Sequence, residues 1–496
     1  MPIKIIKLLC CLLLISTTAW SQKNELNVLY KEKVFGKNLM DGTDIKGVEF
    51  IFPERIDDCF LDPETNFLTV QLRGLSLDRK WLNNTGSILQ YDLKNKKVLW
   101  DKFFSYTGDD IIQFNKILIY SSLLNSYKID PYSGKSIWKT KNRIFLGTPR
   151  GNIGIAYKFD MWLGGINKLE GVDLMSGKKI WTRKIYQWDR LHDAFFINDS
   201  TLMIIASGLN SININTGKGW AFYMSSESEG FTGLMSNVLI DSNFIYMASQ
   251  YQIVKLNKNS RDVVWKHPFR HNLTTVSSIF MDDSAVYMIN RGFGFKGKQQ
   301  RDCGRTFIAA FNKQTGEQKY FTLLDKKDGA ILGFRLVKDE VYLLFQNKIA
   351  TFNFKTGNGV HAKEFPKEDF DELRFFIGEQ VFIDNQHEHF FSLVQNDSTN
   401  LHVLTIQNKI ISVNNQLNVM HEFEIGDVYV SYLHVEDYQL IAKDNKTFII
   451  NDTGKKIAEL EASKDAFLMD NVLYDTRNRS FIAIDLKGVI LPNENY

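Results

Sequence analysis

The chain has 496 residues, 44% of them apolar and 13% aromatic, with a formal charge of +3. That apolar content can build a large core and excludes a disordered chain. The even mixture of charges excludes the basic footprint of a nucleic-acid binder. Beyond the N-terminus no stretch is long and apolar enough to cross a bilayer.

Residues 1–21 read as a cleaved signal peptide. Lys4 and Lys7 give a positive start, Leu8 to Ile15 form an apolar run, and Ala19-Trp20-Ser21 puts small residues one and three positions before a cut ahead of Gln22. Cys10 and Cys11 lie inside the apolar run, whereas a lipidated cysteine follows it, so the expectation is a periplasmic or secreted protein that is not a lipoprotein. Residues 22–496 are then a single domain whose formal charge falls to +1, because the leader carries two lysines and no acid. Two cysteines remain, Cys59 and Cys303, and their spacing leaves a disulfide and two unpaired buried thiols equally open.

Along the mature chain one phrase recurs. It stands as Tyr91-Asp92 to Trp100, Ile129-Asp130 to Trp138, Val172-Asp173 to Trp181 and Leu256-Asn257 to Trp265, with the tryptophan eight residues after the Asp or Asn. Gly134 and Gly177 lie midway. Looser copies are Ile212-Asn213 with Gly217 and Trp220, Phe311-Asn312 with Gly316 and Tyr320, and Phe352-Asn353 with Gly357 and His361. Val413-Asn414, Ile450-Asn451 and Ile484-Asp485 are weaker still. Asp or Asn accepts hydrogen bonds from backbone N–H groups two residues on, and Gly supplies the positive φ that closes a tight turn. Each phrase is therefore a strand, a turn and a second strand. A further β-rich run precedes each one (Phe67 to Leu72, Ile117 to Ser121, Phe244 to Ala248, Val341 to Phe345), usually with another short strand ahead of it.

The first seven anchors are spaced by 38, 43, 40, 44, 55 and 41 residues. Four antiparallel strands every 40 to 45 residues predict an all-β propeller. The best count is eight blades, in a range of seven to ten. The period locks each tryptophan to its turn, which predicts a wedge between blades rather than an exposed stripe. Only Phe365 to Phe376 shows any helical periodicity, the gap from Asn353 to Asn414 is long for one unit, and Leu26 to Val34 reads as an extra N-terminal strand that completes the last blade.

Asp173-Leu174-Met175-Ser176-Gly177-Lys178-Lys179-Ile180-Trp181 resembles the repeat of the pyrroloquinoline-quinone-like propeller family, over roughly Phe67 to Trp265. The resemblance implies, for that family's dehydrogenases, a quinone, a Ca²⁺ ion, a carboxylate base and a vicinal disulfide. The only adjacent cysteines here leave with the signal peptide, and no C-x-x-C-H haem attachment follows, so no cofactor is expected. The family's non-catalytic branch, including the propeller of the outer-membrane protein assembly machinery, implies a scaffold.

Other catalytic patterns are thin. His387-Glu388-His389 puts two imidazoles on one face of a strand without a third ligand. Asp109-Asp110 and Asp282-Asp283 stand where turns use Asp anyway. No G-x-S-x-G elbow, phosphate loop or EF-hand loop is present.

With strands lettered A to D in each blade, the Asp-to-Gly turns are short C–D loops, and the enlarged loops all fall between B and C. Gly74 to Gly86 carries Arg79, Lys80 and Trp81; Phe159 to Lys168 carries Met161 and Trp162; Arg291 to Arg305 carries Phe293, Phe295, Lys296, Lys298, Arg301 and Cys303. Long loops on a rigid scaffold are where binding concentrates, and rings beside Arg and Lys suit an interface. The expected binding residues are Arg79, Trp81, Trp162, Phe293, Phe295, Lys298 and Arg301, with no metal ligand. The expected function is a non-enzymatic exported propeller that binds a protein or glycan partner, as a monomer or within an envelope complex. The alternative is a periplasmic or secreted enzyme, a degenerate quinoprotein or a hydrolase or lyase, working in the central channel.

Overall fold

The computed structural model describes residues 26–490 apart from 77, 115, 123, 149–151, 161–164, 186–192, 206–207, 223–235, 250–251, 270–275, 297–298, 303–304, 378–380, 386–388, 391–399, 425–427, 436, 444 and 452–454. The proposed signal peptide lies outside them. The described chain is almost entirely β, and its strands assemble as a β-propeller. Blade 1 shows the plan: Arg55–Asp62, Phe67–Arg73, Thr85–Asp92 and Lys97–Ser105 pair antiparallel in chain order. Blades 2 to 8 repeat it over 110–141, 143–184, 193–222, 239–268, 277–323, 333–364 and 373–424. These are eight discrete four-stranded sheets. An eleven-stranded sheet contains two more such sets, 428–460 and 467–485 joined by Asp44–Ile51. Among the described residues all ten anchors thus stand at the end of the third strand of a four-stranded set or, for Asp130, directly after it, which puts the count of sets at the top of the expected range.

The second and third strands carry the core. Phe67–Arg73 and Ala285–Asn290 are buried almost throughout, which suits strands covered by sheets on both faces. Outer strands such as Lys179–Lys184 are exposed except at the tryptophan, and their lysines discourage pairing with another edge.

The recurrent phrase is the joint between blades. Trp100 donates its indole N–H to Pro131 O at 2.8 Å, Trp138 to Leu174 O at 3.2 Å, Trp181 to Ile214 O at 2.5 Å, Trp220 to Lys258 O at 3.0 Å and Trp265 to Lys313 O at 3.2 Å. Each acceptor is the residue after the Asp or Asn of the next blade. Tyr320 makes the same bond through its hydroxyl to Phe354 O at 2.6 Å. The Asx side chain builds the turn that presents this carbonyl: Asp173 Oδ1 accepts from Met175 N and Ser176 N at 2.9 and 2.7 Å, and Gly177 N donates to Asp173 O at 2.8 Å. The turn glycine has two reasons to be glycine. Its φ is positive, and a Cβ on Gly177 would sit 2.7 Å from the Trp138 ring, as one on Gly217 would from Trp181.

Three expectations are corrected. The candidate helix of 365–376 is one helical turn, Lys367–Phe370, followed by the inner strand Leu373–Phe376. The long gap between Asn353 and Asn414 is one blade with an inserted hairpin, Val381–Asn385 and His389–Phe390, whose first strand pairs with Val428–Val435 of the next blade. The last blade is completed by Asp44–Ile51, which pairs with Ser480–Asp485. The earlier strand, Leu29–Asn38, lies outside that one and reaches back to Lys456–Leu460 of the preceding blade. Residues 29–34 are exposed and Phe35 alone of the earlier strand is fully buried, whereas Ile45, Gly47 and Phe50 of the later strand are all buried, so the later strand gains more by completing the blade.

Candidate functional site

All three enlarged loops join the second and third strands of their blades, 1, 3 and 6. Identical antiparallel order places them at the same end of the ring, opposite the short C–D turns.

The blade 1 loop is a built hairpin extension. Leu75 and Leu82 form an antiparallel bridge, Ser76 N donates to Trp81 O at 2.8 Å, and Asn83 N donates to Gly74 O at 2.9 Å. Asp78 Oδ1 accepts from Lys80 N, and Arg79 closes the tip at φ 56°. The root is held by Arg73, whose Nε donates to Asn83 O, whose guanidinium lies 4.5 Å from the Tyr106 ring centroid and whose NH1 is 3.6 Å from Asp57. This scaffold holds Trp81 in solvent at 73% exposure with Leu75 at 55%, beside exposed Arg79 and Lys80. Backbone bonds hold the tip while the Trp81 ring stays uncovered, an arrangement suited to an interface anchor.

In blade 3, Ile153–Asp160 and Gly165–Asp173 pair as far as Asp160 opposite Gly165. Met161 and Trp162, at the tip, lie outside the described residues. In blade 6 the loop is a second hairpin, Phe293–Lys296 with Gln299–Asp302, in which Gly294 faces Arg301 and Phe295 faces Gln300. Lys298 and Cys303 lie outside the described residues, and so do the side chains of Phe295 and Arg301. Phe293 is 8% exposed. Its ring belongs to the packed root of the hairpin rather than to an open surface.

Beside Phe293 the structure reveals a group the sequence did not single out. Arg291 N donates to Val276 O at 2.9 Å and Ile331 N donates to Arg291 O at 3.0 Å, so its backbone is fixed between blades 6 and 7. Its guanidinium lies 5.8 Å from the Phe334 ring centroid, half-buried, and its Nε has no hydrogen-bond partner. Burial lowers its pKa. Nothing in a linear sequence separates a paired arginine from an unpaired one.

Three of the candidate catalytic carboxylates, Asp282, Asp109 and Asp110, are engaged in local structure. Asp282 Oδ1 accepts from Ser284 N and Ala285 N at 2.7 and 2.8 Å, and Oδ2 accepts from the Tyr287 hydroxyl at 2.7 Å. Burial opposes its ionisation, but those bonds outweigh it and hold its pKa down to about 2. Asp109 Oδ2 accepts from Ser105 N, and Asp110 pairs with Arg143 at 2.9 Å. His387 and Glu388 lie outside the described residues, as does the side chain of His389. Among the described residues no three of His, Cys, Asp and Glu gather as metal ligands, and no helix is long and apolar enough to cross a membrane. Cys59 is a free thiol 3.4 Å from Thr476 Oγ1, with its pKa pushed up by burial. It borders a cavity of about 540 Å³ lined by Phe60 to Glu64, Gln113 and Lys116, at the A–B turns and therefore on the other face.

No protein-family model matches this chain, and no curated protein does. Solved structures similar to it include BamB from Moraxella catarrhalis, 13% identical, covering 71% of this chain and 96% of that one at a TM-score of 0.34. The computationally designed Ika8 protein is 10% identical over 67% of this chain and 92% of its own, at a TM-score of 0.35. BBS1N, solved in complex with ARL6DN, is 11% identical over 62% and 87%, at a TM-score of 0.32.

Proposed function

We propose that this chain is an exported propeller, cleaved after residue 21 and working in the periplasm or outside the cell, that binds a protein partner through the face bearing its B–C loops. The repeat resembles the non-catalytic branch of the pyrroloquinoline-quinone-like propellers, and the role is that of a scaffold or binding module. One observation carries the reading: Trp81 is held 73% exposed on a hydrogen-bonded hairpin tip, beside Arg79 and Lys80, on the same end of the ring as the extensions of blades 3 and 6. A core-folded insertion would bury that ring. A protein partner suits this surface better than a glycan, because it offers apolar area to Trp81 and Leu75 and charge to the adjacent cations at once.

The test is affinity capture from the envelope fraction with the mature chain, with Trp81→Ala, and with residues 293–302 replaced by a Gly-Ser turn. Truncating an exposed interface tryptophan is expected to weaken capture by about 2 kcal/mol or more while leaving the melting temperature in place. A partner retained at full strength by both variants would overturn the assignment of this face.

A further inference from the structure

We propose that the C–D end of blades 1 to 3 rests on an anionic lipid bilayer, with its lysines among the headgroups and its exposed apolar side chains at the acyl boundary. The inference stands apart from the B–C face, which lies at the opposite end of the ring.

Charge is distributed unevenly around the ring. Residues 92–102, 130–141 and 173–184, the C–D turns and outer strands of blades 1 to 3, carry eleven basic side chains against four acids. The corresponding segments 312–323, 353–364, 414–424 and 451–461 carry six against seven. Lys94, Lys96, Lys97, Lys135, Lys178 and Lys179, in or beside the three turns, are all exposed. Of these, Lys179 lies 3.5 Å from Glu170 of its own blade. Three of the four acids are the anchors, whose carboxylates face backbone N–H groups of their own turns. Asp92 accepts from Asn95 N and Asp130 from Tyr132 N, both at 2.8 Å, as Asp173 does from Met175 N and Ser176 N. The three turns form one surface. Trp100 bonds to Pro131 O and Trp138 to Leu174 O, and Gly134 and Gly177 lie against those same rings, so each turn is seated on the blade before it. The Tyr132 ring continues the contact, 5.0 Å from that of Phe67 in blade 1, and Lys128 Nζ of blade 2 lies 3.8 Å from Met175 Sδ of blade 3.

Apolar side chains stand among these lysines. Tyr132 and Met175, two residues after their anchors, are each 64% exposed, and Ile137 and Ile180, just before the tryptophans, are exposed too. At the turn position of Tyr132 and Met175, blades 1 and 4 to 8 carry Lys94, Asn215, Asn259, Gln314, Lys355 and Gln416, all exposed and polar. Shielding of strand edges accounts for lysines on the outer strands, but it calls for no Tyr or Met at a turn tip. A soluble polyanion would pair with the lysines and leave the apolar side chains in water. A bilayer with anionic headgroups takes both at once, because ammonium groups meet phosphates while the apolar side chains reach the acyl boundary. Docked this way, the ring holds its B–C loops away from the membrane.

The experiment is co-sedimentation of the full mature chain with large phosphatidylcholine vesicles, with and without about 30% phosphatidylglycerol. Wild type should bind the anionic vesicles at least about tenfold more tightly than the neutral ones, and more weakly at about 500 mM than at about 100 mM salt. These comparisons use wild type alone, so they stand whatever the stability of any variant. Lys97→Gln, Lys135→Gln and Lys178→Gln combined, one exposed lysine from each turn, should weaken binding to anionic vesicles by about tenfold or more. Tyr132→Gln with Met175→Gln installs the side chain that blades 6 and 8 carry there, and should weaken it by about fivefold or more at unchanged net charge. Lys266→Gln, Lys319→Gln and Lys355→Gln combined, the same loss of charge from exposed positions on blades 5 to 7, should alter it by less than about twofold. No preference of wild type for anionic vesicles would overturn the proposal, as would equal losses from the two lysine triples. If the Tyr132 and Met175 exchanges leave binding unchanged while the first lysine triple removes it, the surface reads charge alone, and a soluble polyanion replaces the bilayer. None of these readouts involves the captured partner, so this proposal and the binding face fail separately.

Discussion

At Gly177 two constraints coincide. Its φ of 72° excludes most side chains, and the Trp138 ring occupies the space a Cβ would need. Gly488 separates them, because its φ is 88° but a Cβ there would meet no atom within 4 Å. Gly177→Ala should therefore cost about 3 kcal/mol, against about 1 kcal/mol for Gly488→Ala, the difference being the ring contact. Thermal or urea unfolding of both variants checks this, and equal losses would show that the wedge yields freely. His402 makes a different prediction. It is 8% exposed, its Nδ1 has no hydrogen-bond partner, and burial holds its pKa down to about 4. The unfolded imidazole, with a pKa of about 6.5, takes up a proton before the folded one, so stability is full above that value and falls as pH drops toward about 4. The loss attributable to this residue is on the order of 3 kcal/mol. His402→Leu should flatten the dependence of the urea midpoint on pH across that window. An unchanged slope would place the acid sensitivity elsewhere.

At the scale of the strand, the outer position opposite the third strand decides how firmly neighbouring blades are joined. Trp265, paired in register with Lys255, is 7% exposed and donates to the next blade. Tyr320 keeps that bond with a smaller ring. His361, in the same register opposite Thr351, is exposed, and so is His421 opposite Ser412. The same substitution should thus have opposite consequences: Trp265→Ala should cost about 3–5 kcal/mol, whereas His361→Ala should stay within about 0.5 kcal/mol. Chemical unfolding of the two variants distinguishes them. The register also explains what was legible. Turn chemistry is local, so Asp130, Asp173 and Gly177 could be read in place. The fading of the tryptophan to tyrosine and histidine made later blades look degenerate, although Asn451 and Asp485 end the third strands of full four-strand sets. The hairpin inside blade 8 stretched the spacing to 61 residues without adding a blade.

At the scale of the ring, closure depends on the N-terminal strands. Asp44–Ile51 supplies the fourth strand of the last set, and Leu29–Asn38 links that set to its predecessor, with Gly36 packed against Glu459 O. Glu461 N donates to Phe35 O, and Tyr30 reaches blade 1, where Lys96 Nζ lies 3.6 Å from its ring centroid. Removing residues 22–52 would expose the edge of Ser480–Asp485 and strip Phe35, Ile45, Phe50 and Phe52 from the cores. The truncated chain should lose its cooperative melt and associate on size exclusion, as an unpaired hydrophobic edge does. A monomer with an unchanged melting temperature would mean that the ring holds without its closure.

The sequence by itself determined the blade: the strand, the Asx turn, the glycine and the tryptophan, and with them the expectation that the B–C loops share one end. These follow from interactions among residues a few positions apart, which leave a period in the chain. Only the tertiary structure decided which N-terminal strand closes the ring, that Trp81 stands in solvent while Phe293 packs inward, and that Arg291 is left without a carboxylate. Each depends on atoms brought together from distant parts of the chain, and burial and pairing at such distances leave no periodic mark in the order of residues.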